Sequence, residues 1–191
     1  MSMAIAPAGD VSAQPFCEQP FRSGASDAWP DQNRFVAVAI STDFDSISGG
    51  RAAVTQGFEN WESNFTCSGV TFNGFGSTLV TGPGSVRVTR FAIPTGADGT
   101  ISAARVILNS NGSSLESADM VIDENVTNTT AITMRTAHEV GHTFGLDHCG
   151  GDQDRVCISV MSAVHSLNDV SHGSVSPYSV VGSRSKRKRP C

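Results

Sequence analysis

The 191-residue sequence predicts an α+β fold: a twisted, mixed five-stranded sheet packed on two helices, followed by an irregular C-terminal subdomain. Three observations predict it. Residues 35–41, 68–75, 85–93, 101–109 and 118–123 are short apolar or alternating runs bounded by turn-forming residues, as strands are. Residues 50–64 and the stretch from Thr129 or Thr130 to Gly145 instead repeat apolar positions every three or four residues, which gives a helix one buried face. The order strand, helix, several strands, helix layers a sheet against two helices. Beyond Met161 the sequence becomes rich in Ser and Gly, and Pro177 interrupts any long helix there.

Taken in order, residues 1–33 are rich in Pro, Gly, Ser and Ala, with Phe16, Phe21 and Trp29 as the large anchors of an extended arm. Residues 35–40 are almost wholly apolar, the pattern of a strand covered on both faces. In the first helix, Ala53, Val54, Phe58, Trp61, Glu62 and Phe65 share one face. The next two strands are separated by Gly82-Pro83-Gly84, and the fourth ends at the turn signal Asn109-Ser110-Asn111-Gly112. Thr129 or Thr130 is expected to cap the second helix.

The chain is long enough for one well-filled core and short for two. The composition divides it into an arm (1–33), one main domain (34–180) and a basic tail (181–191). Arg184, Lys186, Arg187, Lys188 and Arg189 supply five of the thirteen basic residues; the rest of the chain sets eight against eighteen acidic ones. So acidic a body argues against nucleic acid as the main partner, because neutralising phosphates needs a basic surface. The tail reads as a solvated terminus, with polyanion binding as the alternative. No run reaches the length of a membrane span. The opening Met1-Ser2-Met3-Ala4-Ile5-Ala6 lacks the basic start and full apolar stretch of a signal peptide.

The chemistry is concentrated in His138-Glu139-Val140-Gly141-His142-Thr143-Phe144-Gly145-Leu146-Asp147-His148, which has the spacing HExxHxxGxxH. Residues four apart stack on one helix face, so His138 and His142 can turn two imidazoles to one ion. Glu139, one step round, can reach a water on that ion without being a ligand. Gly145 can take positive φ, end the helix and return the chain so that His148 supplies a third nitrogen. Three nitrogen ligands leave a tetrahedral position open, the layout of catalytic rather than structural zinc. Two histidines four apart arise by accident on polar helices; all five fixed positions should coincide in a chain this long roughly once in 10⁴ sequences.

At these residues the chain resembles the metzincin zinc endopeptidases, whose histidine pattern is followed by a methionine-containing turn. In Ser159-Val160-Met161-Ser162, Met161 lies thirteen residues beyond His148 and matches the turn methionine that in this family underlies the metal. Within the clan it looks most like the matrixins and small bacterial matrixin-like proteases, specifically over residues 131–163 and architecturally over 35–125. It departs from matrixins in having Cys149 after the third histidine, no His/Asp-rich segment for a second zinc and no PRCGxPD-type inhibitory segment. Ala163 stands where astacins and serralysins place a tyrosine, and the sole tyrosine, Tyr178, reads as a packing residue. The resemblance implies a zincin fold and an endopeptidase holding one catalytic Zn²⁺ on His138, His142 and His148. Glu139 would be the base for a zinc-activated water. A protein or peptide substrate would add as a strand to the edge around residues 103–109, with residues 162–167 walling its pocket. Calcium is admitted as a further ion. The alternative is a zinc-binding adhesion or interaction module of the same fold without turnover, which the retention of Glu139 disfavours.

Five cysteines bear on the compartment. Cys149 and Cys157 bracket a Gly/Asp-rich loop, and Cys17 with Cys67 forms the natural second pair, leaving Cys191 over. Thiolate ligation of the metal by Cys149 is the competing reading. Disulfides would require an oxidising compartment. N-x-S/T sequons at Asn64, Asn111, Asn125 and Asn128 agree with secretion. The expectation is an extracellular monomer.

Overall fold

The computed structural model describes residue 29, residues 34–64, 69–78, 80–97 and 101–146, and residues 148 and 161. All five predicted strands and both helices form. They run in the order β1 (Arg34–Ile40), a 3-10 turn (Thr42–Ser46), α1 (Gly50–Asn64), β2 (Val70–Gly76), β3 (Ser85–Arg90), β4 (Ala104–Ser110), β5 (Leu115–Ile122) and α2 (Thr129–Thr143).

The strands form one mixed sheet in the order β2-β1-β3-β5-β4. β1 pairs parallel with both β2 and β3, and β3 pairs parallel with β5. Only β4 runs antiparallel, through its hairpin with β5. The Gly82-Pro83-Gly84 turn therefore makes no hairpin; it carries the chain across β1, so that β2 and β3 flank it.

Alternation places Val36, Val38 and Ile40 on the same sheet face as Phe72, Val86, Val88, Met120 and Ile122, all of them buried. Val54, Phe58 and Trp61 of α1 and Ile132, Ala137 and Val140 of α2 complete this core. The expectation that β1 is covered on both faces holds for Val38, Ala39 and Ile40 but fails at Phe35, which is 71% exposed. The pleat turns Phe35 to the face opposite the core, where no helix among the described residues lies over it.

Where the helices cross, α1 presents Gly57 to Thr136 and Thr133, and Thr133 Oγ1 donates to the carbonyl of Ala53 at 3.0 Å. β2 bulges against β1 between Ala37 and Ala39. There Phe75 takes a φ of 43°, a strained value for a bulky residue, with its ring packed edge-on against Phe58. Glu62, expected on the buried face of α1, is half-buried and accepts the Phe72 N–H at 2.5 Å, tying α1 to β2.

The hairpin signal at Asn109-Ser110-Asn111-Gly112 is realised as written. Gly112 has φ 86°, and Asn111 Oδ1 accepts the N–H groups of Ser113 and Ser114. After β5, the buried Asp123 carboxylate accepts from the backbone of Ile93 and from the backbone and side-chain N–H of Asn125. Burial alone would raise its pKa. These three donors and the nearby Arg90 charge outweigh that effect and hold it below the ordinary carboxylate value. Asp123 thereby pins the end of β5 to the segment between β3 and β4.

Trp29, placed by sequence in the arm, is buried in the core. Its backbone N–H donates to Thr143 at the end of α2, and the Arg34 guanidinium lies 5.6 Å from its ring centroid. Among the described residues no helix is long and apolar enough to cross a membrane.

Candidate metal centre

The site is built on α2, and its start differs by one or two residues from expectation. Asn128, not Thr129 or Thr130, is the N-cap: its side chain accepts the Ala131 N–H at 3.2 Å. The threonines begin the helix instead. From Ala131 to Thr143 almost every side chain is buried, so α2 runs through the molecule rather than along its surface. His138 and His142, one turn apart, lie on the same face; their ring centroids are 4.9 Å apart.

The helix ends at Thr143, two residues before Gly145, in a Schellman motif. The Leu146 N–H returns to the Gly141 carbonyl at 3.3 Å and the Gly145 N–H to that of His142 at 2.9 Å, with Gly145 at φ 79°. This local motif has two consequences for the site. It reverses the chain so that His148 comes back over the helix. It also turns the Leu146 carbonyl onto His142 Nδ1 at 2.7 Å. A carbonyl can only accept, so Nδ1 carries the proton and Nε2 keeps its lone pair.

His148 completes the cluster, with ring centroids 5.0 Å from His138 and 4.9 Å from His142. Its Nε2 lies 3.1 Å from that of His138, and one nitrogen from each of the three rings lies within 4.8 Å of the others. Two nitrogens bound to one tetrahedral zinc at ordinary bond lengths should be about 3.3–3.4 Å apart. Two neutral imidazoles facing each other at 3.1 Å gain little unless a proton or a cation lies between them, so the donor set fits a zinc ion. Among the described residues no second group of His, Cys, Asp or Glu converges in this way.

Glu139 is also buried, on the same helix and next to His138. Arg135 lies one turn earlier and is buried too, at the spacing where opposite charges on a helix meet. Met161 is fully buried against α2. A Cβ at Gly141, between His138 and His142 in sequence, would overlap its Sδ. The methionine thus underlies the helix segment that carries the histidines. Among the described residues β4, whose span includes most of residues 103–109, pairs only with β5 and is a sheet edge. Cys17, Cys67, Cys149, Cys157, the arm before Trp29, the pocket segment 162–167, Tyr178 and the basic tail lie outside the described residues.

Sequence spacing missed the partners that orient this constellation. The Leu146 carbonyl carries no side-chain signal. Trp61, whose indole N–H donates to Ala137, appears in the sequence only as one more apolar residue of α1.

The structure defines an α+β fold with three converging histidines, and comparison with known proteins shows the fold to be zincin-like. No protein-family model matches the chain, and no curated protein matches it in sequence. Solved structures do. Archaemetzincin from Methanopyrus kandleri superposes with a TM-score of 0.53 at 16% identity, over 84% of this chain and 99% of its own. A chain of the ECX AB5 holotoxin, in its GM1-bound form, matches with a TM-score of 0.51 at 13% identity, over 89% of this chain and 88% of its own. Likeness at such identity shows the fold.

Proposed function

We propose that this chain is a matrixin-like zinc endopeptidase that acts on extracellular proteins. One observation carries the reading: three imidazoles converge on a zincin-like fold, and Glu139, the next residue after His138, is buried. His138, His142 and His148 would hold the ion. When bound, zinc supplies Lewis-acid polarisation of the scissile carbonyl and makes a water a stronger acid. Hydrogen bonding by Leu146 keeps the His142 Nε2 lone pair directed to the cluster. Glu139 would take the attacking water's proton on a carboxylate oxygen and return it to the leaving amine. β4, an edge strand among the described residues, would align an extended peptide by main-chain hydrogen bonds. His138 and His142 are buried, whereas His148 is exposed.

Peptide-library cleavage with and without a chelator, run beside Glu139→Gln, tests this. Zinc stoichiometry near one should persist in the variant, and hydrolysis should fall by at least ~10²-fold. Retained activity would remove Glu139 from the role; loss of zinc would make it a ligand. Secretion rests on pairing Cys149 with Cys157 and Cys17 with Cys67. Peptide mapping without reduction should find these crosslinks in protein recovered from an oxidising medium, and free alkylation of the thiols would refute the assignment.

A further inference from the structure

Beneath the histidine cluster the two helices are joined by one buried aromatic residue. Trp61 of α1 is fully buried, and its indole Nε1 donates to the carbonyl of Ala137 at 2.6 Å. Ala137 immediately precedes His138 and Glu139. One turn later the same ring meets α2 again: a Cβ at Gly141 would lie 2.9 Å from Trp61 Cζ2. Beyond the second histidine it packs on Phe144 at the helix C-cap, with centroids 5.4 Å apart. One rigid ring therefore touches α2 before His138, between the two histidines and after His142.

Such a contact matters because two of the three imidazoles and Glu139 ride on α2, whereas His148 lies beyond the Schellman turn. Side-chain ends lie about 5–6 Å from a helix axis, so a rotation of about 10° shifts them by about 1 Å. A functional site tolerates about half of that. The Ala137 carbonyl can also accept the helical N–H of Gly141, so the indole uses its second lone pair. Removing the indole N–H then loosens α2 without stranding a polar group on it.

We propose that Trp61 is a positioning residue for the metal centre. Its hydrogen bond to Ala137 and its seat on Gly141 set the rotation of α2, and with it the convergence of His138 and His142 on His148. This rests on the zinc-site reading above.

The test compares wild type, Trp61→Phe and Phe58→Leu as full-length, metal-free chains. Folding is followed by near-ultraviolet circular dichroism and melting, zinc affinity by competition with a chromophoric chelator, and site geometry by the cobalt(II) absorption bands. Phe58 lies on the same helix and in the same core, where its ring packs on Phe72 and Phe75. Trp61→Phe should fold, bind zinc about 10-fold more weakly and show altered cobalt bands. Phe58→Leu should melt earlier with wild-type zinc affinity and cobalt bands. Wild-type affinity and spectrum in Trp61→Phe would overturn the proposal, as would equal weakening in Phe58→Leu. If Trp61→Phe does not fold, benzothienylalanine at position 61 keeps the ring's shape, replaces N–H by sulfur and is held to the same outcomes. A wild-type chain that takes up no zinc would overturn the site reading and this inference with it; a binding wild type beside an unaffected Trp61→Phe overturns this inference alone.

Discussion

Adding one methyl group at Gly57 tests how closely the two helices approach. Gly57 lies within α1, so alanine there would gain about 0.8–1.0 kcal/mol of helix propensity. Against that, the new Cβ would lie 2.6 Å from Thr136 Cβ, 2.7 Å from its Cγ2 and 2.9 Å from the Thr133 carbonyl oxygen. Carbon atoms in contact sit roughly 3.5–4.0 Å apart, so the shortfall from 2.6 Å is about 0.9 Å. Two of those three atoms are a backbone oxygen and a Cβ attached directly to the backbone, so no rotamer change relieves them. The helices must separate. Overpacking of this kind costs about 1–3 kcal/mol, and separation also stretches the Thr133–Ala53 hydrogen bond. Subtracting the gain in propensity leaves about 0–2 kcal/mol, and the stretched hydrogen bond adds about 0.5–1 kcal/mol, so Gly57→Ala should be destabilised by about 0.5–3 kcal/mol, or roughly 1–12 °C in melting temperature for a chain of this size. Urea and thermal unfolding of the metal-free protein measure it. A Gly57→Ala variant as stable as wild type or more so would refute the close approach, because propensity would then act unopposed.

Three further outcomes are expected. His148→Ala should lower zinc affinity far more than Asp147→Ala in chelator competition; the reverse ranking would move the third ligand by one residue. Asp123→Asn should cost about 1–2 kcal/mol near neutral pH, because a charged acceptor of three N–H groups is lost. Since the folded-state pKa of Asp123 is depressed, its contribution is complete above the unfolded value near 3.8 and disappears as pH falls through the folded one. The stability gap between wild type and Asp123→Asn should therefore close on acidification, and a gap that does not change with pH would mean the charge is immaterial. Asn128→Ala should cost about 1 kcal/mol in unfolding experiments through loss of the α2 cap, whereas Thr129→Ala should cost little.

Local signals were legible in the sequence because their physics is local. An apolar repeat of three and four residues brings Phe58 and Trp61 to one side of α1 whatever lies opposite. The spacing of His138, His142, Gly145 and His148 encodes a helix face and a left-handed stop, and both are present, with Gly145 at φ 79°. The cap was misplaced because Asn128, Thr129 and Thr130 are all competent caps in succession, and the choice among them depends on the chain's path out of Asp123. Phe35 was expected to be covered because composition cannot say which face of a strand a helix will reach.

By itself, then, the sequence determined the kinds and order of the elements, the α+β class and the constellation HExxHxxGxxH, since each depends on residues within a turn or two of one another. Tertiary structure alone decided that β1 lies between β2 and β3, that β5 separates β3 from β4, and that the Met161 side chain meets Gly141. It also decided that Trp61 reaches Ala137, 76 positions away. The same apolar faces could be buried in several strand orders and helix rotations. What selects among them is the fit of particular atoms, such as a glycine that admits an indole ring, and no spacing along the chain records that fit.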